Sequence, residues 1–136
     1  MIDFMAPPHK FTVAFDSVRM RLSWTMRGFW DVTDVAAFGT ALREALKPIG
    51  PPPLHFDSLS DAREFPVQSR EVANALSAIE RAGAAMRIGR VAIVVGSMMN
   101  KLQAQRSLGP NVRTFMAIAD AEDWLDELMP SPASST

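Results

Sequence analysis

No cysteine occurs among the 136 residues. Disulfides, thiolate nucleophiles and cysteine-ligated metals are thereby excluded. Histidine is almost as scarce, with His9 and His55 as the only two, too few for a histidine-built metal site. Charge of either sign is not in excess: 14 basic residues stand against 15 acidic ones, for a net charge of −1. That balance removes the case for a polyanion binder acting through bulk electrostatics. Long hydrophobic runs are absent too. The longest β-branched run, Val91 to Val95, is far too short to span a bilayer, so no stable membrane insertion is expected. The first ten residues lack the basic start of a secretory signal, and Asp3, Pro7 and Pro8 interrupt any apolar stretch. A cytoplasmic location is the expectation.

What remains is apolar enough to fold. At 48% apolar and 21% charged, the composition is that of a globular chain. The length suits one domain that buries roughly two-thirds of its unfolded surface. We expect an N-terminal extension over residues 1–9, one domain over 10–129 and a disordered Pro/Ser/Ala/Thr tail over 130–136. The segment Pro48 to Pro53 is short and reads as a loop between elements.

Periodicity then sets the order of elements. Phe11, Val13 and Phe15 alternate with Thr12, Ala14 and Asp16, a strand pattern. After an Asp16–Ser17 turn, Val18, Met20, Leu22 and Trp24 alternate with Arg19, Arg21, Ser23 and Thr25, predicting an antiparallel partner with one wet face. Asp31 or Thr33 can cap a helix whose stripe is Val35, Phe38, Leu42, Ala45, Leu46 and Ile49. Leu54 to Ala62 reads as an unusually polar third strand. Ser69 caps a second helix with Val72, Ala75, Leu76, Ile79 and Met86 on its buried side. Arg90 to Val95 shows no alternation and reads as a central strand covered on both faces. A third helix with Met98, Leu102 and Leu108, a last strand over Val112 to Ile118 and a short helix capped by Asp120 complete the chain. In that helix Ala121, Trp124, Leu125 and Leu128 face inward. The order β-β-α-β-α-β-α-β-α predicts a mixed sheet, with parallel strands joined through right-handed helical crossovers.

Several segments in this order resemble bacterial SpoIIAA-like STAS-domain proteins. They are Arg27-Gly28-Phe29-Trp30-Asp31-Val32 leading to Val35–Phe38 and Leu42-Arg43, then Phe65-Pro66-Val67-Gln68-Ser69-Arg70-Glu71-Val72. Arg90–Ser97, Lys101–Arg106, Val112–Phe115 and Asp123–Leu125 continue the pattern. The resemblance covers roughly residues 10 to 128. It implies an α/β STAS-like fold with a mixed five-stranded sheet and about four helices mainly on one face. It also implies a non-enzymatic regulatory role, in which the domain binds a protein partner such as an anti-sigma factor and is gated by phosphorylation of a serine. Some folds of this kind are compared instead with CRAL-TRIO carriers, which implies an apolar ligand. The antagonists carry an Asp-Ser-Ser/Thr-Gly-like segment at the second helix. Here Val67, Gln68 and Arg70 replace three of its residues, and Ser69 alone remains.

The candidate partner surface is the loop and first turn formed by Phe65, Pro66, Gln68, Ser69, Arg70 and Glu71, with Ser69 the phosphorylation candidate. A phosphate there would sit at a helix N-terminus, with Arg70 and Arg63 nearby in sequence. The plain alternative is an ordinary N-cap. His55, Asp57, Ser58, Ser60 and Asp61 form the densest polar cluster, but no nucleophile elbow accompanies them and alternate strand residues face opposite ways. Hydrolysis is therefore a remote alternative, and no catalytic or metal-ligating residue is expected. Gly96-Ser97 lacks the signatures of a phosphate-binding loop, and no cofactor is expected. Arg19 and Arg21 on the wet strand have no interleaved aromatics, so no nucleic acid is expected. The nine methionines serve either as core filler or as the lining of an adaptable apolar pocket.

Overall fold

A computed structural model describes residues 10–51, 54–99, 101–102 and 111–127. The expected terminal extension and tail, together with Leu108 and Leu128, lie outside the described residues. The strands are β1 (Phe11–Asp16), β2 (Arg21–Arg27), β3 (Leu54–His55), β4 (Asp57–Glu64), β5 (Arg87–Ile88), β6 (Val91–Val95) and β7 (Val112–Phe115). The helices are α1 (Val32–Leu46), α2 (Arg70–Met86) and α3 (Ile118–Glu127). A 3₁₀ turn at Lys47–Ile49 extends α1, and residues 98–99 and 101–102 are helical as well.

The main sheet has five strands in the order β1-β2-β4-β6-β7. Only the first pair is antiparallel; the other three pairings are parallel. This is the mixed sheet that the element order predicts. α1 and α2 cover one face and α3 covers the other.

The expected third strand is divided. β3 leaves the main sheet to pair with β5 in a separate two-stranded ribbon, and Phe56 bridges to β4. Three other positions differ from expectation. Val18 lies in the turn between β1 and β2 and is 92% exposed. There Asp16 Oδ1 accepts the backbone N–H groups of Val18 and Arg19, which closes the turn before Val18 can join a strand. α3 starts at Ile118, inside the expected last strand, and Asp120 sits in its first turn instead of at its cap. Arg21 is not on a wet face but is 4% exposed.

Arg21 is buried because α3 covers its side of the sheet. Its Nε donates to Asp57 Oδ1 at 2.8 Å, and its Nη2 donates to Asp57 Oδ2 at 3.2 Å and to Asp126 Oδ1 at 2.9 Å. Asp57 is the register partner of Arg21 on β4, and Asp126 lies on α3. The fork thus ties two strands to a helix. Burial alone would lower the Arg21 pKa, but hydrogen bonds and charge from the two carboxylates raise it. Around this pair the α3 face is tightly filled: Leu59, Ala92, Val94 and Phe115 meet Ala121 and Leu125. Ala92, Val94, Ala121 and Leu125 retain no accessible surface.

The α1 face begins with a strong helix start. Asp31 accepts the Asp34 backbone N–H, and Asp34 accepts that of Asp31, both at 2.9 Å. This capping box satisfies two helix-end donors. Lys10 Nζ adds an ion pair to Asp34 at 2.8 Å. Burial by itself would raise the Asp34 carboxyl, but the Lys10 and Asp31 hydrogen bonds and the Lys10 charge hold it below the ordinary carboxylate range. The following stripe packs Val35 and Phe38 against Met26, Trp30 and Val72.

Two predictions follow from these contacts. The Asp34 contribution to stability is complete above the carboxyl's unfolded-state pKa and is lost as pH falls through its lower folded-state value. Asp34→Asn should cost about 1 kcal/mol near neutral pH, with a shallower loss on acidification, read by urea unfolding across an acid series. Gly89, between β5 and β6, tests the ribbon. A Cβ there would stand 1.9 Å from the Phe56 carbonyl oxygen, a backbone atom that cannot rotate away. Gly89→Ala should cost more than about 2 kcal/mol, and an unchanged urea midpoint would refute the close approach.

Candidate functional site

The side chains of β4 alternate between two jobs. Asp57, Leu59 and Asp61 point toward α3, while Ser58, Ser60 and Ala62 point toward α1 and α2. On that second face the register sets Ser58 between Leu22 and Val91, and Ser60 between Trp24 and Ile93. A column of small side chains therefore runs down the centre of the sheet, walled by large ones on both neighbours.

The helices do not fill this trough. Phe38, Leu42 and Leu46 of α1 and Leu76, Ile79, Gly83 and Met86 of α2 roof it. α2 packs chiefly on α1 and on β5, standing off the strands beneath it. A Cβ on Gly39 would come within 3.3 Å of Ile79 Cδ1, so glycine at this position lets the two helices close on each other. Only Val72 of α2 is buried. Ala75, Leu76, Ile79 and Met86, the stripe expected to be covered, are half-buried.

The result is a cavity of about 350 Å³ between the sheet and α1/α2, within the size range of small-molecule sites. Its walls are almost wholly apolar. Ser58 and Ser60 stand on its floor, 2% and 3% exposed, and neither hydroxyl has a hydrogen-bonding partner among the described residues. Arg43, Glu80 and Ala82 are exposed members of the lining and mark where the cavity meets solvent. Of the methionines, Met26 and Met86 line it, while Met98, Met99 and Met116 are exposed.

The expected partner surface lies elsewhere, at the carboxyl end of β4. Gln68 joins its loop to the one after β2: Oε1 accepts the Trp30 N–H at 2.8 Å, and Nε2 donates to the Gly28 and Pro66 carbonyls at 3.0 and 2.8 Å. Trp30 Nε1 donates to the Arg27 carbonyl, and its ring meets Phe65 and Phe38 edge-on. Phe65 and Pro66 are half-buried, whereas Phe29 and Val67 are 71% and 79% exposed. Ser69, Arg70 and Glu71 are exposed. Ser69 Oγ accepts the Val72 N–H at 3.2 Å, so it caps α2. Arg63, a sequence neighbour of Ser69, holds Asp61 through two hydrogen bonds of 2.8 and 2.9 Å. Those bonds, with the Arg63 charge, lower the Asp61 carboxyl despite partial burial.

The polar cluster of the third strand is dispersed. His55 is exposed on β3, Asp57 is committed to Arg21, and the two serines face the cavity. Among the described residues no group of three metal-ligating side chains converges. At Gly96 a Cβ would lie 2.5 Å from the Arg63 carbonyl oxygen, so close strand approach accounts for that glycine.

An apolar pocket is one of two readings of the methionines, but its place beneath α1 and α2 was not assigned from sequence. The available signal was the alternation Ser58, Ser60, Ala62 on one face of a strand, opposite an amphipathic helix.

No family model and no curated protein matches the chain. The structure is similar to that of an uncharacterized protein of the DUF3478 family with a SpoIIAA-like fold, from Shewanella loihica PV-4. The TM-score is 0.66 at 21% identity, covering 90% of this chain and 99% of that one. At this identity the likeness shows the fold alone, and it agrees with the order of strands and helices: the chain has a SpoIIAA-like, STAS-like α/β fold.

Proposed function

We propose that this chain is a non-enzymatic binding domain that holds an apolar small molecule between its sheet and the α1/α2 layer. The observation that carries this reading is the cavity of about 350 Å³ with its column of small side chains. A half-buried apolar helix stripe over an apolar trough is an unfinished core, and an apolar occupant would complete it. The two floor hydroxyls offer a polar handle of the kind that orients a ligand. Among the described residues no histidine lines the cavity with the two serines, an arrangement that favours binding over hydrolysis.

Protein isolated gently from its own cells should yield a lipophile on organic extraction, identified by mass spectrometry. Purified apo-protein should bind 1-decanol by calorimetry. Ser60→Leu fills the floor and should abolish that binding, with stability changed by no more than about 1–2 kcal/mol. A wild-type chain that carries no lipophile and ignores decanol would overturn the proposal.

A second reading, regulatory binding of a protein partner, is supported by a different observation. Phe29 and Val67 expose large apolar side chains on two loops that Gln68 holds together, and loops fixed to a rigid sheet suit recognition. Ser69 would gate that surface only if a phosphate could replace its cap. A photo-crosslinking residue at position 67 should give a discrete adduct in cells that Phe29→Ser abolishes. Smeared or absent adducts would dismiss this reading.

A further inference from the structure

We infer that the cavity selects amphiphiles with a single anionic head group, a medium-chain carboxylate in the simplest case, and that Arg43 is the head-group anchor. The inference rests on the cavity being a ligand site and goes further by naming the chemistry of its occupant.

Polar groups divide the cavity into two zones. The interior presents apolar side chains and the two serine hydroxyls, which suits a chain without charge. At the lip stand Arg43, the lone cation in the described lining, and Glu80. Arg43 makes no ion pair among the described residues. Its position is nevertheless defined. Nη2 donates to Thr40 Oγ1 at 3.2 Å, and Nη1 lies 3.7 Å from where a Cβ of Gly39 would be, beside Ile79. The guanidinium thus folds back along α1 to lie in ordinary contact distance of the seam between α1 and α2. A planar guanidinium at the lip, with N–H groups left over, is suited to a carboxylate held by paired hydrogen bonds.

Glu80 on the facing helix decides what else can enter. Arg43 and Glu80 share the lip without forming a salt bridge. A carboxylate that reaches Arg43 gains direct hydrogen bonds and meets only longer-range repulsion from Glu80. A dianionic head such as a phosphate monoester would strengthen attraction and repulsion alike while its desolvation cost rises more steeply with charge, which is why a monocarboxylate is the class assigned. Both charges are exposed, so solvent limits each effect.

Calorimetric titration of decanoate and of 1-decanol into the purified full chain tests the assignment. Wild type should prefer decanoate. Arg43→Gln should weaken decanoate about fivefold and leave decanol unchanged, while Glu80→Gln should tighten decanoate by a smaller factor. Circular dichroism checks that both surface variants are folded. Equal affinity for the two probes, or an Arg43→Gln variant that binds decanoate as wild type does, overturns the head-group inference while leaving the cavity reading intact. Failure of both probes to bind wild type overturns the two together.

Discussion

The approach of α1 to α2 at Gly39 is the constraint from which the candidate site follows. With no side chain at that position, Ile79 seats against the α1 backbone, and α2 is fixed to its neighbouring helix more than to the sheet. The strand beneath carries Ser58, Ser60 and Ala62, which are too short to reach up. A closed and empty void of this size would cost several kcal/mol, a large part of what a small domain has to lose. Opening to solvent at the lip relieves part of that cost. An occupant bound only by the folded state would restore the missing contacts and add stability by mass action. A gap of this size under an amphipathic helix is therefore better understood as space for something than as careless packing.

The opposite face shows that the chain can pack closely where nothing needs to enter. Ala121 and Leu125 of α3 lie fully buried on Ala92 and Val94, and Arg21 closes the region by gripping Asp57 and Asp126. Removing one partner of such a buried pair would leave an uncompensated charge, at a cost of about 3–5 kcal/mol. Two-sided coverage thus divides the work. The α3 side holds the strands in register and gives the sheet a rigid back, against which the α1/α2 side can stay open without loss of the fold.

Much of this architecture was legible in the sequence, because most elements carry an uncontested period. The alternation in β1, the stripe of α1 and the unalternating β6 stand where periodicity put them, and of the two caps offered, Asp31 and Thr33, the helix uses Asp31. The failures have specific causes. Val18 continues the alternation of β2, but the Asp16 side chain turns the chain first. Arg21 was read as solvated because its partners lie 36 and 105 residues away, a separation that no local pattern reports. The polarity of the segment Leu54–Ala62 has several sources: Asp57 is neutralised by distant Arg21, Asp61 by Arg63 two residues on, and the serines face the cavity. A cavity is made by what two distant elements fail to fill, so it appears only once both are placed. Ser69 was legible as a cap, and a cap is what the backbone makes of it.

The cavity and the loop surface are distinct in position yet share one packing unit. Phe38 lines the cavity, and its ring meets Trp30 at 5.3 Å between centroids; Trp30 in turn meets Phe65 at 5.1 Å. Phe65 and Gln68 belong to the loop that leads into α2, and Gln68 holds the backbone of Trp30 beside exposed Phe29. Edge-to-face rings of this kind have discrete arrangements and do not deform gradually. A molecule seated against Phe38 would therefore act on the loops by favouring the present arrangement over any other. Its effect on a partner would be limited to its difference in affinity for the two arrangements. The ligand reading and the partner reading are joined through this cluster, to which the cavity-lining Trp24, Met26, Leu76 and Ile79 also belong.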